Sequence, residues 1–158
     1  MNDVRDGASN TVAFAEWLLM GPPRNPNPDP RRAMYYPVGD AGGATLDYDG
    51  FIAGCLNPGH PVSGQTRRGF WMEGASTNYN NVMSVNEPIC DRDRSVPPPP
   101  GMEKDPLMAE TAGSEHPGGA NVLFLDGHAR FIRSSMARTT WHALATRNGG
   151  EVIPGDSY

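Results

Sequence analysis

HPGGANVLFLDGHARFI, residues 116–132, decides how this chain folds. Val122 to Leu125 is an apolar, β-rich run, Asp126-Gly127 is a turn dipeptide, and His128 to Ile132 returns. The pattern predicts a β-hairpin, and Asp-Gly suits a two-residue type I′ turn, whose central residues both take positive φ. In that register Leu125 faces His128, Phe124 faces Ala129, Leu123 faces Arg130 and Val122 faces Phe131. Val122, Phe124, Ala129 and Phe131 then share the core face, and Leu123, Leu125, His128, Arg130 and Ile132 the other. At about 3.3 Å per residue the strand holds His116 and Asp126 at opposite ends of the hairpin.

Outward from the hairpin the chain reads as one loop-rich α+β domain over residues 1–158. Nineteen Gly and sixteen Pro among 158 residues are a combined share of about 22%. Three Trp, five Tyr and five Phe are enough to seed a small core. Thr11 to Leu19 reads as a strand with Val12, Phe14, Glu16 and Leu18 on one side. Five prolines between Gly21 and Pro30 make an extended loop. Met34 to Val38 reads as a short edge strand, Phe51 to Leu56 as a short helix, and Phe70 to Met72 as a strand. Residues 95–111 form a Pro-rich loop around Pro97 to Pro100. A closing helix spans about Ala137 to Asn148, with Trp141, Leu144 and Ala145 inward and Gly149 as its stop. The expected architecture is a small antiparallel sheet with a C-terminal helix.

Mean hydropathy is −0.53, the net charge is −5 and the pI is about 5.2. No basic stripe exists, which excludes nucleic acid as a partner; Arg31-Arg32 and Arg67-Arg68 read as solvated surface pairs. No apolar run is long enough to cross a bilayer. Cys55 and Cys90 are too few and too far apart for a zinc knuckle. They are either a disulfide, which would close a loop of about 35 residues and contribute roughly 3–4 kcal/mol, or two buried thiols.

Several blocks resemble a bacterial family of prepilin-like proteins of unassigned function, abundant in planctomycetes. His116-Pro117-Gly118-Gly119 with Asp126-Gly127 resembles its C-terminal H-x9-DG block. Asp6-Gly7-Ala8-Ser9-Asn10-Thr11 with Phe14-Ala15-Glu16 resembles its opening block. Gly69 to Gly74, Tyr79-Asn80 and Asn86-Glu87-Pro88-Ile89-Cys90 resemble its central block, and Trp141 to Arg147 with Gly149-Gly150-Glu151 its closing helix. His128 departs from the pattern, which more often has a small residue there. The resemblance implies a pseudopilin-like globular domain, an extracytoplasmic location, pilin-like or envelope partners, and a Cys55–Cys90 disulfide. It also implies that this chain is the C-terminal part of a longer protein, lacking the prepilin leader and long apolar helix, whether by engineering or by internal initiation.

For chemistry, the polar residues to weigh are Asp6, Glu16, His60, Glu115, His116, Asp126, His128 and His142. At the open end of the hairpin His116 meets Glu16 or Glu115, as a metal or general-base pair, or as a simple hydrogen bond fixing the Pro-Gly-Gly turn. At the turn, Asp126 and His128 are two apart; Asp126 is most simply a turn residue, and a metal would need a further ligand such as His60 or His142. Acidic loops at Asp6-Gly7, Asp40, Asp47-Tyr48-Asp49-Gly50 and Asp91-Arg92-Asp93 raise calcium as the alternative to zinc. No Gly-x-Ser-x-Gly elbow and no phosphate loop exists. An extracytoplasmic structural or interaction module is therefore the leading reading. A metal-dependent esterase or phosphoesterase is the alternative, and carbohydrate binding through Tyr35-Tyr36, Phe70-Trp71 or Tyr79 ranks last. On this reading His116→Ala destabilises the fold and His128→Ala leaves it nearly intact.

Overall fold

The computed structural model describes residues 3–19, 29–37, 48–61, 79–91 and 108–154. Their elements run β1 (Val12–Ala15), β2 (Met34–Pro37), α1 (Tyr48–Leu56), β3 (Pro58–Pro61), β4 (Ile89–Asp91), β5 (Met108–Ala109), β6 (Gly119–Phe124), β7 (Ala129–Arg133) and α2 (Arg138–Ala143). The class is α+β, with two small sheets. One is antiparallel, in the order β1-β6-β7; the other is four-stranded, in the order β3-β2-β4-β5, with β2 and β4 parallel. The second sheet was not expected, and β2 lies inside it rather than at an edge. β5 falls within the stretch read as the Pro-rich loop. The strand expected at Phe70 to Met72 lies outside the described residues.

The hairpin forms, but its register is one residue from the expected one. Leu123 pairs with Ala129, Val122 with Arg130 and Ala120 with Ile132. Gly127 N–H donates to the Phe124 carbonyl at 3.0 Å, and Phe124 N–H to the His128 carbonyl at 2.9 Å. The connection is therefore three residues, Leu125-Asp126-Gly127. Gly127 takes φ +92° and Asp126 stays at negative φ, as in a type I turn closed by a glycine bulge. A shift of one residue exchanges the faces of the return strand. Ile132 is fully buried, while Ala129 and Phe131 are exposed. The open end is tight: a Cβ on Gly119 would lie 2.1 Å from the Ile132 carbonyl oxygen.

A bulge between Val12 and Phe14 does the same to β1. Val12 packs against the core, and Phe14 is 69% exposed. The outer face of this sheet thus carries Phe14, Leu123 and Phe131. Its inner face holds Ala120, Val122, Phe124 and Ile132, with Trp141 and Leu144 of α2 and with Val85 and Ala112. A second cluster joins Phe51, Ile52 and Cys55 of α1 to Met83, Cys90 and Ala109. The closing helix is shorter than expected: it ends at Ala143, and Ala145 is exposed.

Candidate functional site

The hairpin sets two places for chemistry at its two ends. At the turn, Asp126 Oδ1 accepts from His128 N–H at 3.1 Å and meets His128 Nδ1 at 2.5 Å. The imidazole lies flat on Phe124, with centroids 4.3 Å apart and planes 8° from parallel. Hydrogen bonds from the His128 backbone and ring hold the Asp126 carboxyl below its usual range. At the open end, His116 Nε2 is 3.6 Å from Glu16 Oε1, beyond hydrogen-bond length. Glu16 is committed elsewhere. Its carboxylate accepts from Asn121 N–H at 2.8 Å and from the Asn121 amide at 2.9 Å. Burial raises the Glu16 carboxyl, but the Asn121 and Ser114 hydrogen bonds and the His116 charge outweigh it, and its pKa is lowered.

Six strand residues, about 16 Å from end to end, separate the two histidine sites, as the strand length alone requires. The other candidates do not join them. Glu115 pairs with Arg32 and lies 3.7 Å from Arg31. Arg31 also grips Asp29 through both carboxylate oxygens, so the Arg31-Arg32 pair is not idle surface. His142 Nε2 lies 3.0 Å from the Val82 carbonyl and 3.2 Å from the Tyr48 hydroxyl, a tether between α2 and α1. Of the Asp47-Tyr48-Asp49-Gly50 stretch, Tyr48 to Gly50 form the first turn of α1. The described residues exclude Asp40, Asp47 and Asp93 and the side chain of His60. Among the described residues no group of three or more His, Cys, Asp or Glu could hold a metal ion.

Most polar side chains of the family-like blocks hold the fold together. Asp6 accepts from Gly150 N–H at 2.9 Å, Gly149 N–H at 2.8 Å and the Thr146 hydroxyl at 2.9 Å. The backbone bonds from Gly150 and Gly149 hold the Asp6 carboxyl below its usual range. Thr11 Oγ1 donates to the Thr146 carbonyl, while Leu125 N–H and Asp126 N–H reach the Thr11 and Ala8 carbonyls. The opening block thus joins the hairpin tip to the chain after α2. Asn80, Asn81 and Asn86 bridge elements far apart in sequence: Asn81 donates to the Trp141 carbonyl, Asn80 to the Met108 carbonyl and Asn86 to the Gly119 carbonyl. Glu87 takes a two-pronged ion pair from Arg138. Only the Asn86-Glu87-Pro88 tripeptide and the Asn80-Asn81 dipeptide hint at these roles.

Two stability effects follow. Loss of the His116 ring, 59% exposed, is expected to change stability by less than about 0.5 kcal/mol. Loss of the His128 ring gives up its stack on Phe124, about 0.5–1.5 kcal/mol. The geometry thus reverses the order expected from sequence. Urea midpoints of His116→Ala and His128→Ala check it, and a larger loss at His116 refutes it. The second effect is acid sensitivity. The Asp6, Glu16, Asp29 and Asp126 carboxyls are all lowered in the fold. A lowered carboxyl contributes stability that is present above its unfolded pKa, near 4, and is lost as pH falls through the folded value. The melting temperature is expected to hold between about pH 5 and 7 and to fall below about pH 4; an unchanged value at pH 3 refutes it.

What these contacts define is a scaffold of the α+β class, stitched at both ends of one hairpin. The family described as "Protein of unknown function (DUF1559)" matches residues 1–139, and the chain belongs to that family. The match carries a family of unknown function and nothing more specific. It ends just before Trp141, although that residue and Leu144 complete the core. No curated protein and no solved structure is detectably similar. No helix among the described residues is long and apolar enough to cross a membrane.

Proposed function

We propose that this chain is an extracytoplasmic, pseudopilin-like structural and interaction domain, which meets other pilin-like or envelope proteins and has a role in assembly rather than turnover. One observation carries the reading. Most of the polar residues that make the family resemblance, Asp6, Asn86, Glu87, Glu16 and Asp126 though not the exposed His116 ring, are engaged with backbone groups or counter-charges of the chain itself. Groups so engaged fix a shape; catalysis needs a group poised to meet a substrate. The order of the family-like blocks along the chain supports the pilin-like part of the reading.

Each histidine site offers two ligand side chains, and a zinc centre takes three or four from the protein. A dialysed sample is therefore expected to hold well under one equivalent of calcium or zinc by elemental analysis. The function is tested in two arms. Aryl esters and phosphate esters are offered to the protein with added zinc or calcium and with chelator, and no turnover above buffer is expected. Antibody against the domain is expected to find the protein in the envelope fraction of cells that make it. Chelator-sensitive turnover lost in His128→Ala, or recovery only from the cytosol, overturns the proposal.

A further inference from the structure

Cys55 lies in the last turn of α1 and Cys90 in the middle of β4, so a bond between them would close a loop of about 35 residues. Both are fully buried, and both belong to the second core cluster. Both are free thiols, close enough that Cys55 is the main influence on the Cys90 thiol. That cluster is small. Besides the two cysteines it buries Phe51, Ile52, Met83 and Ala109, beneath strands of two to four residues. Short strands and a thin core are where a covalent tie adds most.

We propose that Cys55 and Cys90 form an oxidisable cross-link that fastens α1 to β4. The inference goes beyond the assembly role, since the two thiols share one buried cluster whatever the domain contacts. A protein or low-molecular-weight disulfide serves as the oxidant. One cysteine thiolate attacks a sulfur of that disulfide, giving a mixed disulfide and releasing one thiol. The second cysteine thiolate then displaces the other half, so the Cys55–Cys90 bond forms, two protons leave, and the oxidant departs as two thiols. In the folded chain the hydrogen bond to Cys55 and burial push the Cys90 thiol far up. The thiolate is scarce there, so the exchange takes place while the cluster is open, during folding.

The chain is refolded with oxidised and reduced glutathione, then unfolded in excess maleimide and weighed. The expected product is lighter than the reduced chain by two hydrogens and carries no maleimide; after reduction it carries two. The oxidised protein is expected to melt about 10 °C above the reduced one. Cys55→Ala, treated identically, should melt with the same midpoint before and after reduction. The reduced and oxidised wild-type proteins still give the comparison if that variant does not fold. Two maleimides on the oxidatively refolded chain, glutathione on each cysteine separately, or equal melting of the two wild-type forms overturns the cross-link.

Discussion

Trp141→Ala is expected to lose about 3–5 kcal/mol of stability. Trp141 is fully buried at the centre of the first core cluster, where α2 meets the inner face of β6 and β7. Its indole N–H donates to the Met83 carbonyl at 2.9 Å, and its own carbonyl accepts from Asn81 at 2.9 Å. Truncation removes the largest buried side chain and leaves the Met83 carbonyl without its donor. A domain of this size has about 5–15 kcal/mol in total, so the variant should be marginal or unfolded at 25 °C. Trp141→Phe separates the two terms. It keeps most of the packing and gives up the indole bond, about 1–2 kcal/mol. Urea unfolding followed by far-ultraviolet dichroism measures both, and a loss under about 1 kcal/mol for Trp141→Ala would show that α2 does not close the core.

The hairpin is legible because Val122 to Leu125 and Asp126-Gly127 are local signals. Its register is not, because Asp-Gly suits two turns, and the choice between them is made from far away. Leu125 and Asp126 N–H donate to the Thr11 and Ala8 carbonyls, more than a hundred residues earlier. The closing helix was overextended for the same reason. The Leu144 carbonyl accepts from Val12 N–H and the Arg147 carbonyl from Arg5 and Asp6 N–H, so residues past Ala143 exchange helical bonds for bonds to the opening block. Of the second sheet only β2 is legible, as the strand read at Met34 to Val38; its partners, strands of two to four residues, show no alternation that a periodicity search can use.

The two-ended arrangement of His116 and His128 was legible, since strand rise depends on residue count alone. The work of the asparagines was not. An amide side chain satisfies whichever backbone group the tertiary fold brings to it, so Asn80, Asn81, Asn86 and Asn121 follow no spacing rule. Acids misled for a related reason. Glu16 stands near His116, but two hydrogen bonds from Asn121 decide its geometry.

Asn86→Ala is expected to lose about 3 kcal/mol, the sum of a backbone term of about 1 kcal/mol and an unsatisfied-group term of about 2 kcal/mol. Asn86 has φ +66°, the left-handed region, where no other non-glycine residue is found among the described residues. Asparagine enters that region more readily than alanine. Its Oδ1 accepts from Ser114 N–H at 2.8 Å, and its Nδ2 donates to the Gly119 carbonyl and the Ser134 hydroxyl, each at 3.2 Å. It therefore pins the turn before β4 to the entrance of β6 and the exit of β7. Alanine loses all three contacts and strains the backbone. Asn86→Gly loses the contacts but fits the backbone, so it should fall about 1 kcal/mol less than Asn86→Ala. Asn86→Asp keeps the acceptor for Ser114 but sets a carboxylate against the Gly119 carbonyl, and should lie near the glycine variant. The expected order of urea midpoints is wild type, then Gly and Asp, then Ala. An alanine variant as stable as the glycine one would remove the backbone term, and one as stable as wild type would remove Asn86 from the scaffold.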